Sequence, residues 1–265
     1  MHRGGARFRL GRIEDARPQV NYVIRPCATR QELAACVTLQ KQIWGYSDLE
    51  VYPLRLFVNL GHIGGHVLAA FTPGGRAVGF VASMPAWRDG RNYYHSLSLG
   101  VLPEHENRGL GRALKLEQRR LALRAGIDRI EWTFDPLRAK NAFFNIVRLG
   151  AVCRRYVADH YGAVGSRFQQ GLPSDRLVAE WWLRSSRVCR ALGGRPPRSP
   201  RRKPAAKVMI PADIGAFMKT HAEEARAAQC RVREQLAGYF ARNLAITGFA
   251  LADAAAKYLL DPYED

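Results

Sequence analysis

Hydrophobic and polar positions alternate in short blocks along this chain, and the blocks change period. "NYVIRPC" (21–27) reads as a first strand. Thr29 then offers a helix N-cap, with Glu32 three residues on in a capping-box pattern. Leu33 and Val37 carry that helix to about Trp44. "PLRLFVNL" (53–60) suits a second, short helix with Pro53 near its start. "HVLAAF" and "AVGFVASM" flank the turn "TPGGR" and predict a hairpin, and "YYHSLSLGV" (93–101) predicts the next strand.

From about Gly109 to Arg124 the period becomes helical, with Leu110, Ala113, Leu114 and Leu121 on one stripe and Gly126 as a stop. "DRIEWTF" (128–134) is a strand and "LRAKNAFFNIVRLG" (137–150) a helix. "AVCRRYV" and "RLVAEWWL" add two strands. Further on, "VMIPA" reads as a strand, 214–243 as helix, and "AITGFALAD" with "AAKYLLD" as a closing hairpin. This order predicts an α/β fold: a mixed, mostly antiparallel twisted sheet with helices on both faces. One central parallel pair, 93–101 with 128–134, is joined by a right-handed helical crossover.

Composition refines the outline. At 265 residues and 47% hydrophobic, the chain can bury a sizeable core. The five cysteines are scattered, without Cys-x-x-Cys or zinc-ligand spacing, which predicts reduced thiols, no metal and a cytoplasmic setting. No apolar run reaches membrane-spanning length, and 1–20 lacks a signal-peptide core.

The net charge of +18 is uneven: residues 184–207 hold nine Lys or Arg and no acid. A basic Pro- and Gly-bearing block predicts a solvated linker. It lacks interleaved aromatic residues, which argues against a nucleic-acid partner. The expected organisation is a tail over 1–20, a core domain over 21–185, a basic linker over 186–207 and a small α/β appendage over 208–265. The appendage is expected to pack on the same sheet or to form a homodimer contact.

The chemistry concentrates in "PEHENRGLGRAL" (103–114), where strand becomes helix. A helix N-terminus exposes unpaired N–H groups and partial positive charge, and so accepts phosphate. Gly109 and Gly111 remove side chains from that approach, and Arg108 and Arg112 add forked donors. A plain strand-to-helix turn would also use such glycines.

With the flanking strands and the Asn-bearing helix 137–150, this stretch resembles the GNAT superfamily of acyl-CoA-dependent N-acetyltransferases. The likeness extends to a bacterial subgroup with a C-terminal extension. The family's Gln/Arg-x-x-Gly-x-Gly/Ala motif maps onto Glu106-Asn107-Arg108-Gly109-Leu110-Gly111, with Glu106 departing at the first position. The resemblance covers about 22–165. It implies acetyl-CoA as acyl donor, an amine as acceptor and direct transfer. Asn107, Arg108, Gly109, Leu110, Gly111 and Arg112 would hold its pyrophosphate.

Leu99, Gly100 and Val101 would pair with the pantetheine arm, with Gly100 permitting a bulge. Asn141 and Asn145 would lie near the cofactor. The family's Tyr four residues before the helix-ending Gly is replaced by Ile146, which cannot protonate a thiolate. A module that binds acyl-CoA without turnover is therefore the alternative, with a nucleic-acid-binding protein behind it.

Two residues suit a general base. Glu131 sits mid-strand, where a charge needs either a partner such as Arg129 or a role. His95 opens the strand before the motif, with an ordinary pKa of about 6.5. Trp132 and Asp135, at the end of the following strand, are candidate acceptor-binding residues.

Overall fold

The computed structural model describes residues 21–162, 171–195, 203–251 and 255–263. Ten strands form a single sheet. In chain order the first half comprises β1 (Val23–Pro26), α1 (Arg30–Trp44), α2 (Leu54–His62), β2 (His66–Phe71), β3 (Ala77–Arg88), β4 (Arg91–Val101), α3 (Leu110–Arg124) and β5 (Arg129–Phe134). The second half comprises α4 (Ala139–Ala142), β6 (Val152–Val157), β7 (Arg176–Trp182), α5 (Ser186–Leu192), β8 (Ala206–Pro211), α6 (Ile214–Thr220), α7 (Ala222–Phe240), β9 (Leu244–Leu251) and β10 (Ala255–Pro262).

The spatial order is β1-β2-β3-β4-β5-β7-β6-β9-β10-β8. The β4–β5 pair is parallel and the others are antiparallel, as the alternation of elements predicts. No helix among the described residues is long and apolar enough to cross a membrane.

Local signals explain the first half. Thr29 Oγ1 accepts from the Glu32 N–H at 3.2 Å, and the Glu32 carboxylate accepts from the Ala28 N–H at 2.7 Å. Arg25 also donates to Glu32, at 2.6 Å. Led by the Arg25 hydrogen bond, these contacts hold the Glu32 carboxyl down at about 2. Gly45, in the left-handed region, ends α1.

α1 and α2 bury Leu39, Ile43, Phe57 and Leu60 against β2 and β3, forming one core. A second core lies under α4 to α7, built on β5 to β10 and including Trp181, Leu236 and Tyr258. Tyr258 also donates to the Pro136 carbonyl at 2.6 Å, tying the last strand to the turn after β5. Strands β9, β10 and β8 thus continue the sheet of the first half, joining it at Cys153↔Ile246.

Three expectations need correction. The basic segment 186–207 opens as helix α5, not as linker. Ser185 caps it, and Val188 and Ala191, three apart, bury its inner face while arginines take the outer one. Arg187 even reaches inward, donating to the carbonyls of Gly150 at 2.9 Å and Thr247 at 2.5 Å. The helix expected over 214–243 breaks at His221 into α6 and α7. The helix expected over 137–150 is a single α turn that widens into a π-helical turn, Phe143–Arg148. Residues 196–202 of the basic block and the tail 1–20 lie outside the described residues.

Gly100 has a packing reason. A Cβ there would stand 2.7 Å from Trp44 and 2.8 Å from Ile43, where α1 crosses β4. Gly100→Ala is therefore expected to cost about 1–3 kcal/mol through overpacking. Urea unfolding checks it; an unchanged midpoint would mean that α1 yields without cost.

Candidate active site

The site begins where two strands part. β4 pairs with β5 only at Tyr94↔Ile130 and His95↔Glu131, although both strands run on. The reason lies one pair further along. The register of β4 against β3 steps from Ser96↔Ser83 to Ser98↔Ala82, leaving Leu97 as the extra residue of a bulge. Such a bulge bends its strand, and here β4 leaves β5. The bulge falls at Leu97, not at Gly100, which is kept small by α1.

Beyond the bulge β4 stays bonded to β3 on one edge only. Leu102 N–H donates to Val78 O at 2.9 Å. Backbone direction alternates along a strand, so Leu99 and Val101 aim their N–H and C=O groups at the open edge.

Side chains of α3 pin the bulge from one face. Gln118 Nε2 donates to Ser83 Oγ at 2.5 Å and to Ser96 Oγ at 2.9 Å. Lys115 Nζ donates to Gln118 Oε1 at 2.9 Å and to Ser96 Oγ at 3.2 Å, and sits 3.6 Å from the Trp132 ring centre. Burial pushes the Lys115 ammonium well below its ordinary pKa. Sequence reading missed this network. Its one signal was two polar residues three apart on the apolar stripe of a helix.

At the far end of β4 the chain makes a short turn, passes Asn107 at φ 58° and Gly109 at φ 76°, and enters α3. Gly109 is the N-cap, and no side chain caps the helix. A Cβ added at Gly109 or Gly111 would meet nothing within 4 Å. Gly109 is required by its backbone angle. Gly111 has neither that excuse nor a packing neighbour, and glycine inside a helix costs about 1 kcal/mol against alanine. Open space over bare N–H groups is what a bound anion would need.

The flanking side chains divide their roles. Arg108 Nη1 lies 3.4 Å from Tyr22 Oη on the surface. Arg112 donates to the Leu192 carbonyl at 2.7 Å, so its guanidinium ties α3 to the end of α5. Leu110 is buried in the first core. The Glu106 carboxylate, out of place for an anion site, is paired with Lys140 at 2.8 Å. Asn141 is exposed on α4. Asn145 is buried and accepts from Trp132 Nε1 at 3.3 Å, and Ile146 is fully buried beside it.

Trp132 corrects an expectation. Its ring packs edge-on against Trp181, under Lys115, on the α3 side of the sheet. It is part of the core and does not face the side that carries His95. Asp135 turns its carboxylate to the Leu137 N–H at 2.8 Å, capping the turn after β5, with Arg138 at 3.6 Å. Burial raises its pKa.

The opposite face holds the titratable groups. His95 and Glu131 are register partners there. Burial lowers the His95 pKa, against the opposing charge of Glu131. Glu131 Oε2 accepts from Arg88 and from Arg155, each at 2.7 Å, and Arg129 Nε lies 3.5 Å from its other oxygen. The carboxylate is thus the hub of an ion cluster.

Above this pair, Tyr161 Oη meets Thr133 Oγ1 at 3.0 Å, and Arg176 lies 5.1 Å from the Tyr161 ring centre. Tyr46 stacks on Trp44, and burial pushes the Tyr52 hydroxyl up to about 12.

A sheet that splays after a single parallel pair, with an uncapped glycine helix start at the end of the slot, is a GNAT-like fold. Residues 27–146 match the family described as "Acetyltransferase (GNAT) family".

Among solved structures it is similar to a Desulfovibrio desulfuricans protein assigned to the GNAT acetyltransferases. The identity is 16%, the coverage 61% of this chain and 99% of that one, and the TM-score 0.50. It is also similar to a Salmonella typhimurium protein solved with its cofactor acetyl-CoA (19% identity, 62% and 95% coverage, TM-score 0.49). A third is the Escherichia coli ribosomal-protein-S18-alanine N-acetyltransferase (14% identity, 60% and 92% coverage, TM-score 0.47). At these identities the likeness is one of fold. No curated protein matches the chain.

Removing the hub carboxylate would leave Arg129 buried without a counter-ion. Glu131→Gln is expected to cost about 3–5 kcal/mol of stability, the cost of breaking a buried pair. Calorimetric unfolding checks it, and a loss under 1 kcal/mol would show that Glu131 is free for other work.

Proposed function

We propose that this protein transfers the acetyl group of acetyl-CoA to an amine by direct attack. One observation carries the reading: Gly109 and Gly111 face empty space at an uncapped helix start, directly after a strand with a free edge. Acetyl-CoA, when bound, supplies the activated acyl group.

The N–H groups at the start of α3 would take the diphosphate, and Leu99 and Val101 would pair with the amide-bearing arm along the open edge. Backbone donors at the bulge would stabilise charge developing on the thioester oxygen. His95, neutral at pH 7 because burial lowers its pKa, would accept the proton of the attacking amine. Glu131 holds the floor beneath it with Arg88 and Arg155. Ile146 offers no proton to the departing sulfur, which would leave as the thiolate and be protonated by solvent.

Gly111→Glu tests the cradle. It sets a long side chain and a negative charge against the diphosphate and is expected to weaken acetyl-CoA binding about tenfold or more. Calorimetric titration reads the effect, and full affinity would remove the cradle.

His95→Gln is expected to lower kcat about 100-fold or more with acetyl-CoA affinity retained. The wild-type pH profile carries its own check. A histidine whose pKa burial lowers from 6.5 is more than half unprotonated at that pH. Activity is therefore expected to hold at pH 6.5 and to fall only under more acidic conditions. An acidic limb centred above pH 7 would assign the base elsewhere.

A further inference from the structure

The acceptor side of the sheet carries more positive charge than its carboxylates match. Arg88, Arg129 and Arg155 converge on Glu131. Glu180 accepts from Arg154 at 2.5 Å, with Arg155 Nε 3.6 Å away. Granting Glu180 wholly to Arg154, three guanidinium groups still face one carboxylate, an excess of two charges.

Aromatic rings hold the surplus in place without neutralising it. Arg129 lies 4.9 Å from the Tyr93 ring centre and 5.0 Å from that of Trp182, and Arg88 lies 5.3 Å from Tyr93. The Arg129 side chain is only 9% exposed, and its Nε and Nη2 have no hydrogen-bond partner. Arg88 and Arg155 are different: they remain 38% and 36% exposed, and both contact the same oxygen of Glu131, Arg155 also lying 3.6 Å from Glu180. His95 is the register partner of that Glu131, one strand spacing of about 4.8 Å away.

Burying cations is costly, and a fold that only needed to hold these strands together would have gained more from apolar side chains. The geometry points to an acceptor amine that carries its own anionic group, carboxylate or phosphate, within a few bonds of the nitrogen. This inference rests on the acetyl-transfer reading above. Arg88 and Arg155 would bind the anion through forked donors while the amine reaches His95. Such a substrate completes the charge balance of the face. A polyamine or the basic surroundings of a lysine would be repelled by it.

The test uses the full chain and four matched amine classes. These are amino acids, aminoalkyl phosphates, their neutral counterparts (amino-acid amides and ethanolamine), and the cationic spermidine. CoA release is followed with acetyl-CoA saturating, and binding of each amine to the CoA-bound protein is measured by calorimetry. Amines with an anionic group are expected to show kcat/KM at least tenfold above their neutral counterparts, with spermidine lowest. The preference between amino acids and aminoalkyl phosphates then identifies the anion.

Arg155→Gln is expected to raise KM for the anionic amine about tenfold, with kcat and acetyl-CoA affinity changed far less. Arg155→Lys should restore part of the loss. A variant that unfolds is replaced by Arg88→Gln, whose side chain lies at the edge of the cluster. Neutral or cationic amines used as well as anionic ones overturn the inference. So does a panel in which no anionic amine either reacts or binds the CoA-bound protein. Failure of acetyl-CoA itself to bind would instead overturn the acyltransferase reading, so the two failures are distinguishable.

Discussion

Every functional feature of this protein depends on one departure from regular pairing: β4 leaves β5 after two residues. A continuous parallel pair would bury the backbone of 97–101 in the sheet. The extra residue at Leu97 prevents that, and the Ser83–Gln118–Ser96–Lys115 network locks the step on the α3 side. The opened edge keeps unpaired N–H and C=O groups near the centre of a sheet, where they would be costly without a partner. An extended, amide-bearing ligand is the partner that such an edge fits.

The sheet separates two chemistries. On the α3 side lie apolar side chains, with a lysine stripped of water. On the other side lie His95, Glu131 and arginines in partial contact with solvent. Alternation along β4 and β5 makes the division: Ser96 and Trp132 go one way, and their neighbours His95 and Glu131 the other. In the proposed reading the donor arm would run along the strand edge between the faces, and an acceptor would approach from the charged side. The C-terminal strands continue the sheet, and Arg233 of α7 pairs with the buried Asp175 at 2.8 Å just before β7. The start of β7 at Arg176 is thereby set by a helix far along the chain.

Much of this was legible in the residues. The Thr29–Glu32 box, the Pro-Gly-Gly hairpin and the helix stop at Gly126 act through local backbone geometry, and each is found where the residues place it. The helix start at Gly109 could be read as an anion site because the relevant groups belong to the backbone and the adjacent glycines. The resemblance to the acetyltransferases rested on that same stretch. Local misreadings had local causes. The arginines of 186–192 masked two apolar residues at helical spacing, and one His interrupted a long alanine-rich helix.

Which residues meet across strands was another matter. The neighbouring Arg129 could be read as a partner of Glu131, but that Arg88 and Arg155 join it depends on three strands coming together, and no spacing along the chain foretells that. That Trp132 packs into the core, while Lys115 and Gln118 pin the bulge, depends on which face of β5 meets α3. The sequence by itself determined the elements, their order and the glycine-bearing turn into α3, because these follow from interactions within a few residues. Only the tertiary structure decided where β4 parts from β5 and which charges share a face, because strand register and side-chain burial come from contacts between distant segments.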